Sequence, residues 1–286
     1  MFKPFYISSF GGTATMWINK VLNTHHQVVS YHGTRSIPPY DSGTNDLSPD
    51  DFVEGMKVSM ENSNNTKVFG AIHGFYGLSL SQAIIKHEGV FCAVIRSPIK
   101  RMNSLFNHHY KGIQKTGEEH WDKNISVYQD VINNNFDHVN TDNGNVTTSS
   151  TVNMFSWICN GTISNDIELL TGIGADLNFK MESLVQDRGY FKHFLEVITQ
   201  GKIEVTDEYL DQIFTFNNVN KHAHVEQSEQ QIFDSWPDIF KLVYKNAILK
   251  HGGESVIKAY EDLDYPIIDN IKVDFALDNN QFIQVE

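Results

Sequence analysis

The chain has 286 residues, a net charge of −13 and 40% hydrophobic residues. This length suffices for one large domain or two small ones with a sizeable core. The acidic balance argues against general binding to nucleic acid or to an anionic membrane, and no apolar run approaches the ~18 residues that a membrane-spanning helix needs. The N-terminus lacks the charged and apolar regions of a signal peptide, so we expect a cytoplasmic protein.

The first predicted elements are a strand, a glycine turn and a helix. An apolar run at residues 5–7 predicts a short buried strand, and Gly11 and Gly12 then permit a tight turn without side chains that would block a ligand. Apolar residues recur at helical spacing from Thr13 onward. The first amides of such a helix have no internal partner and point into the turn. The stretch therefore predicts an anion site, with hydroxyl donors at Thr13 and Thr15, although ordinary strand–helix connections share the pattern.

The rest of the chain alternates strands with helices over its first part and is mostly helical afterwards. Further strands are predicted at residues 27–31, 67–72, 90–95 and 176–180. Helices are predicted at residues 48–61, 79–86, 98–110, 121–132, 152–159, 190–199, 207–216 and 232–250. This alternation indicates βαβ units, so we predict an α/β fold: a three-layer sandwich with a central parallel sheet, in one domain over residues 1–286.

A polar insertion interrupts the pattern at residues 112–150. Its last part, residues 133–150, is rich in Asn, Asp and Thr and has no periodicity. Long polar excursions in α/β domains often serve as a lid or a substrate loop. A mobile lid and a disordered insertion both fit this composition.

Cysteine and acidic residues give two further indications. Cys92 and Cys159 both lie in apolar segments, so we expect both in the core. Two cysteines indicate neither a disulfide framework nor a metal site. We expect no metal. The chain has no acid before Asp41 and none between Glu88 and Glu118, which favours local positive fields in both windows.

Candidate site residues follow predicted strands, and ligands of parallel sheets bind beyond the carboxyl ends of the strands. Arg96 follows the strand at 90–95, and Ser104 lies two helical turns further on. An arginine fork and a serine hydroxyl suit phosphate oxygens. His73 follows the strand at 67–72 and can serve as a general base, with His32 as a second candidate.

These segments resemble the sulfotransferases that use 3′-phosphoadenosine 5′-phosphosulfate (PAPS), of the bacterial or phage type. The glycine turn, which runs Ser-Phe-Gly-Gly-Thr-Ala-Thr over residues 9–15, resembles the family's Pro-Lys-Ser-Gly-Thr-Thr-Trp motif. The strand that ends in Arg96, with Ser97, Pro98 and Ser104, resembles the second motif, including its eight-residue offset. Weaker resemblances lie at Ala71-Ile72-His73 and at residues 180–184, 220–222 and 235–237.

The resemblance implies a P-loop NTPase-like sulfotransferase fold and sulfuryl transfer from PAPS to a hydroxyl or amine, with 3′-phosphoadenosine 5′-phosphate (PAP) as product. It implies that Gly11, Gly12, Thr13, Ala14 and Thr15 hold the 5′-phosphosulfate. It also implies that Arg96 and Ser104 hold the 3′-phosphate and that His73 is the catalytic base. The polar loops at 34–47 and 112–150 favour a polar acceptor, such as a carbohydrate or small metabolite.

The chain also departs from the family pattern. The first-motif lysine is replaced by Phe10, the lysine before the family's histidine aligns with Ala71, and the motif tryptophan aligns with Thr15. An Arg-Lys-Gly-x-x-Gly segment is absent near the C-terminus. Lys3, Lys20 and Arg35 are candidate replacements for the lost charge. Two alternatives remain open: a sulfotransferase homologue that binds PAP without catalysis, and a small-molecule kinase, although the glycine turn has no Walker lysine.

Overall fold

The computed structural model describes residues 2–33, 48–63, 66–73, 77–114, 148–215 and 227–265. The chain divides into two compact units, one made of Met1–Arg96 with Glu168–Val225 and the other of Ser97–Ile167 with Glu226–Glu286. Each unit is described by itself below. The single domain expected over residues 1–286 stays a prediction.

The first unit is built on a sheet whose described strands are all parallel. The strands are β1 (Phe5–Ser8), β2 (Val28–His32), β3 (Val68–Ile72), β4 (Val90–Ile95) and β5 (Asn178–Lys180). Their order in the sheet is β2-β3-β1-β4-β5. Phe5 of β1 lies between Gly70 and Val90 of its two neighbours, so β1 is the central strand. The predicted α/β class and central parallel sheet are confirmed.

The described helices belong to both units. In chain order they are α1 (Thr15–Leu22), α2 (Pro49–Glu61), α3 (Ser81–Lys86), α4 (Pro98–Gln114), α5 (Thr148–Gly172), α6 (Met181–Gln186), α7 (Arg188–Thr199), α8 (Asp207–Thr215), α9 (Glu229–Ser235), α10 (Asp238–Lys250) and α11 (Glu254–Glu261). Short 3-10 turns occupy Gly77–Leu80 and Ala175–Leu177. No described helix has both the length and the apolar character needed to cross a membrane.

Helices cover both faces of the sheet in the first unit. Successive side chains of a strand point to opposite faces, and every side chain of β1 is buried. Phe5 and Ile7 belong to a core that includes residues of α1, α7 and α8. Tyr6 packs on the other face, where its ring meets Phe52 of α2 edge-on at 5.9 Å. The unit is therefore a three-layer sandwich, as the sequence predicts.

The second unit is helical and has its own aromatic core. Phe155 of α5 stacks on Phe240 of α10, with ring centroids 4.1 Å apart, and the Trp236 ring meets Phe155 edge-on at 5.0 Å. Arg101 and Asp166 form a fully buried ion pair, and Tyr260 donates a hydrogen bond to Asp166 at 2.8 Å. The predicted helical character of the C-terminal part holds for its described residues.

Two predicted helices differ most from the structure, and α6 and α11 were not predicted. The predicted helix at 152–159 is only a part of α5, which runs from Thr148 to Gly172. The predicted helix at 232–250 is two helices, α9 and α10, separated at Trp236 and Pro237. A residue before proline is disfavoured in the helical conformation, and Trp236 is accordingly extended, with φ −71° and ψ 143°.

Several predicted segments lie outside the described residues. They are the helix at 121–132, the loop at 34–47 and most of the loop at 133–150. The insertion was predicted to start at residue 112, but α4 continues to Gln114.

Candidate functional site

Polar side chains gather at the carboxyl ends of the strands. His32 and Lys180 are the last residues of β2 and β5, while Ser9, His73 and Arg96 follow β1, β3 and β4 closely. Because all five strands are parallel, these residues share one edge of the sheet, which we call the carboxyl edge. This is the edge at which ligands of parallel sheets bind.

The glycine turn at the centre of this edge presents the N-terminus of α1. Gly12 has a φ of 83°, and Ala14, which precedes the helix, is left-handed with a φ of 56°. The first intrahelical hydrogen bond runs from Ile18 N to Ala14 O at 3.0 Å. Amides before Ile18 therefore lie at the open, positive end of the helix dipole, and the first turn carries no acidic residue. This arrangement suits an anion.

Two hydroxyls support the turn from inside. Ser9 and Thr13 are buried, with 1% and 0% exposure. Ser9 donates to the carbonyl of Val94 at 2.9 Å, and its hydroxyl also contacts that of Thr13, which bonds to the carbonyl of Phe10. The side chain of Thr13 therefore holds the turn in shape, while the exposed Gly11 lies at its surface.

Arg96 reaches from the end of β4 to this turn. Its Nη1 donates to the carbonyl of Gly12 at 2.6 Å. Its Nε lies 3.9 Å from Oε1 of Glu182, which is in the first turn of α6. Both side chains are about one-fifth exposed, at 22% and 20%. The guanidinium of Arg96 therefore lies between the glycine turn and the carboxylate of Glu182.

Ser104 lies on α4, in the second unit, and is half-buried. Its role as a partner of Arg96 stays a prediction.

His73 and His32 form a pair at the ends of β3 and β2. Their rings lie edge to face, with centroids 5.4 Å apart and an interplanar angle of 81°. Nε2 of His32 is 3.0 Å from Oγ1 of Thr15, the first residue of α1. The backbone of His73 is tied to β1 through a bond from its amide to Ile7 O at 3.1 Å. The histidine pair therefore lies beside the N-terminus of α1.

Burial shifts the ionisation of both histidines. Desolvation, with a smaller effect from the charge of His32, lowers the pKa of His73 to about 4. Burial likewise lowers the pKa of His32. Buried imidazoles lose the charged form because water no longer solvates it. At neutral pH His73 is therefore a neutral ring that can accept a proton.

Neither described candidate for replacing the missing motif lysine lies at the glycine turn. Lys3 precedes β1 and pairs with Glu88, so it lies at the opposite edge of the sheet. Lys20 is in the last turn of α1, away from its N-terminus. Arg35 lies outside the described residues. A cation that the sequence argument passed over, Lys180, ends β5 in register with Ile95.

Glu182 is the site residue that sequence reasoning missed. The segment at 180–184 was noted for its family resemblance, but nothing local in it predicts a contact with Arg96. The acid-free window from Glu88 to Glu118 predicted a positive field around Arg96, and α6 brings a carboxylate into that field from elsewhere in the chain.

The fold and the carboxyl edge define an α/β protein with a candidate anion site beside a half-buried histidine pair. Two solved structures similar to this chain are sulfotransferases. The enzyme from Alicyclobacillus acidocaldarius has a TM-score of 0.47 and 11% identity, covering 95% of this chain and 100% of that one. Mouse sulfotransferase SULT7A1, complexed with PAP, has a TM-score of 0.49 and 10% identity, covering 91% of this chain and 88% of that one.

No protein-family model and no curated protein matches the sequence.

Proposed function

We propose that this protein is a sulfotransferase that transfers a sulfuryl group from PAPS to a hydroxyl or amine acceptor. The observation that carries the proposal is the bond from Arg96 Nη1 to Gly12 O at 2.6 Å. It brings together the two segments that resemble the phosphate-binding motifs of sulfotransferases, which are 84 residues apart in the sequence.

Some residues at the carboxyl edge suit the phosphates of PAPS, and others do not. The open amides of α1 and the positive end of its dipole suit one phosphate group, and the Arg96 guanidinium suits another because it offers several donors in one plane. Phe10 provides no charge where the family has lysine. Glu182 adds a negative charge next to Arg96. Binding would therefore depend on the amides and on Arg96.

His73 supplies the base in this proposal. PAPS brings the activated sulfuryl group, and the acceptor oxygen must lose its proton as it bonds to sulfur. The bond between sulfur and the 5′-phosphate oxygen breaks in the same step and PAP leaves. A ring nitrogen of His73 takes the acceptor's proton, since the pKa of about 4 keeps the ring neutral near pH 7. The low pKa limits its strength as a base, so positioning of the acceptor would supply much of the rate.

The acceptor is proposed to be a carbohydrate or another small polar metabolite. The support is compositional, because the loops at 34–47 and 112–150 offer mainly polar side chains for recognition.

Two measurements test the proposal together. Isothermal calorimetry with PAP should show binding that is weaker for adenosine 5′-phosphate, because Arg96 recognises the extra phosphate. Incubation with PAPS labelled in the sulfuryl group, across a panel of sugars, phenols and amines, should transfer the label to at least one acceptor. Absence of PAP binding would overturn the proposal.

A second function is favoured by Phe10. Loss of the lysine that contacts the transferring group in sulfotransferases would leave nucleotide binding intact and remove catalysis. Tight PAP binding without label transfer to any acceptor would support this non-catalytic function. Phe10→Lys would then be informative, because a gain of transfer would identify the lost charge as the cause.

A further inference from the structure

We propose that His32 is a positioning residue that, together with Thr15, holds the base His73 in a neutral, fixed pair at the carboxyl edge. This inference deepens the proposed function and rests on it for the role of His73 as a base. The pairing itself rests on geometry. His32 pairs in register with Ile72, the residue before His73, so the parallel arrangement of β2 and β3 places both rings side by side.

Backbone hydrogen bonds from both neighbouring strands hold the segment that carries His73. The Gly33 amide donates to Ile72 O at 3.1 Å, which extends the β2–β3 ladder past the strand ends. A Cβ at Gly33 would lie 3.9 Å from Cδ2 of His73, so the backbone after His32 passes close to the ring. On the β1 side, the Ser9 amide donates to the carbonyl of His73 at 3.4 Å. The ring therefore lies against the backbone that follows β2.

Thr15 connects this pair to the glycine turn. Its Oγ1 lies 3.0 Å from Nε2 of His32, and it is the first residue of α1. A threonine hydroxyl can donate to a ring nitrogen or accept from it, so this bond orients the His32 ring in either tautomer. The bond therefore links the orientation of His32 to the helix whose N-terminal amides would hold the phosphate. His32 in turn contacts the ring of the base His73, so the base is linked to the anion site through His32.

Charge repulsion gives the pair a second property. Two protonated rings with centroids 5.4 Å apart repel each other, so the pair takes up its second proton reluctantly. Among the described residues, His32 at the end of β2, Gly33 after it and the backbone of β1 lie next to His73, and the charge of His32 lowers its pKa. A protonated His32 thus opposes protonation of His73, which preserves the base form as the pH falls.

The test is a titration of the free protein, which needs neither PAPS nor an acceptor. Proton NMR would follow the His73 ring in wild type, His32→Gln and His25→Gln. His25 is the matched control, because it also stacks on a neighbouring histidine, His26, at 4.9 Å, but it lies before β2, at the opposite edge of the sheet.

We expect His32→Gln to raise the pKa of His73 by about 0.5 to 2 units, as Coulomb's law gives at this separation for an effective dielectric constant between about 80 and 20. His25→Gln should leave that pKa unchanged. In wild type with ¹⁵N-labelled histidine, Nε2 of His32 should show the chemical shift of a hydrogen-bonded ring nitrogen. Thr15→Val should change that shift, and Thr15→Ser, which keeps the hydroxyl, should retain it.

If the pKa of His73 is unchanged in a His32→Gln variant that folds, the proposed pairing is wrong, whether or not the variant transfers sulfuryl groups. If wild-type transfer is measurable, the acid limb of kcat/KM should move to higher pH in His32→Gln by the same amount as the NMR titration. A wild type with the expected titration but no transfer would support the pairing and count against the proposed function alone.

Discussion

The guanidinium of Arg96 donates to the carbonyl of Gly12 at 2.6 Å and so joins the end of β4 to the glycine turn after β1. Arg96 thereby supports the turn, and in the proposed function it also binds the 3′-phosphate of the nucleotide. Because β1 and β4 are adjacent strands of the sheet, this relationship follows from sheet order. It makes Arg96 the first residue to test.

Arg96→Ala should weaken PAP binding by roughly ten- to a hundredfold, since hydrogen bonds to charged groups contribute about 1.5–3 kcal/mol. Adenosine 5′-phosphate lacks the 3′-phosphate and should bind nearly as before. Calorimetry with both nucleotides checks this, with Arg96→Lys as the charge-preserving control. Equal losses for both nucleotides would show that Arg96 acts mainly by supporting the turn through Gly12.

Glu182→Gln should strengthen PAP binding by about two- to fivefold. The carboxylate lies 3.9 Å from Nε of Arg96, so it competes with an incoming phosphate for the same cation, and partly exposed ion pairs are worth up to ~1 kcal/mol. Glu88→Gln is the matched control, because Glu88 pairs with Lys3 at the other edge of the sheet. Weaker PAP binding in Glu182→Gln would mean that the carboxylate orients Arg96 for the phosphate.

His73→Ala should reduce sulfuryl transfer by about 10²- to 10⁴-fold, the usual contribution of a general base, and leave PAP affinity unchanged. The reason is that His73 would contact the acceptor and not the nucleotide phosphates. Steady-state kinetics with label transfer measures the loss, and His193→Ala, an exposed histidine of α7, serves as control. Retained turnover in His73→Ala would assign the base to another residue.

The free energy of unfolding should fall as the pH is lowered from about 6.5 to about 4. Burial lowers the pKa of both His73 and His109 to about 4, whereas an unfolded histidine titrates near 6.5. Between these values the unfolded chain binds more protons, so the stabilisation is complete above about pH 6.5 and is lost as the pH approaches 4. Urea unfolding at several pH values measures it.

The double variant His73→Gln, His109→Gln separates this effect from carboxylate titration. It should show a smaller loss of stability over the same pH range than the wild type. Equal losses in the two proteins would assign the pH dependence to other groups.

Asp166→Ala should destabilise the helical unit by about 3–5 kcal/mol. Asp166 is fully buried against Arg101, which is 2% exposed, and removal of one partner leaves a buried charge poorly compensated. Glu229→Gln, which weakens the more exposed pair with Lys100, should cost no more than ~1 kcal/mol. Denaturant unfolding of both variants tests this contrast, and similar losses would contradict it.

The sequence by itself determined the elements around the site and their polarity. The apolar run from Val90 to Ile95 predicted β4 with its observed bounds, and Ser48 and Pro49 predicted the start of α2, where the Ser48 side chain accepts a bond from the Asp51 amide. Such features depend on neighbouring residues, through side-chain periodicity, caps and proline geometry. Alternation of strands and helices also sufficed for the parallel sheet, and hence for the placement of His73 and Arg96 beyond strand ends.

Only the tertiary structure decided which of these residues meet. The pairing of His32 with His73 requires β2 and β3 to be neighbours, and the contact of Glu182 with Arg96 requires β5 to lie beside β4. Neither fact is encoded in a local pattern, because strand order depends on how the helices pack on both faces of the whole sheet. The same long-range packing partly buries the two histidines, and this burial is the main cause of their lowered pKa values.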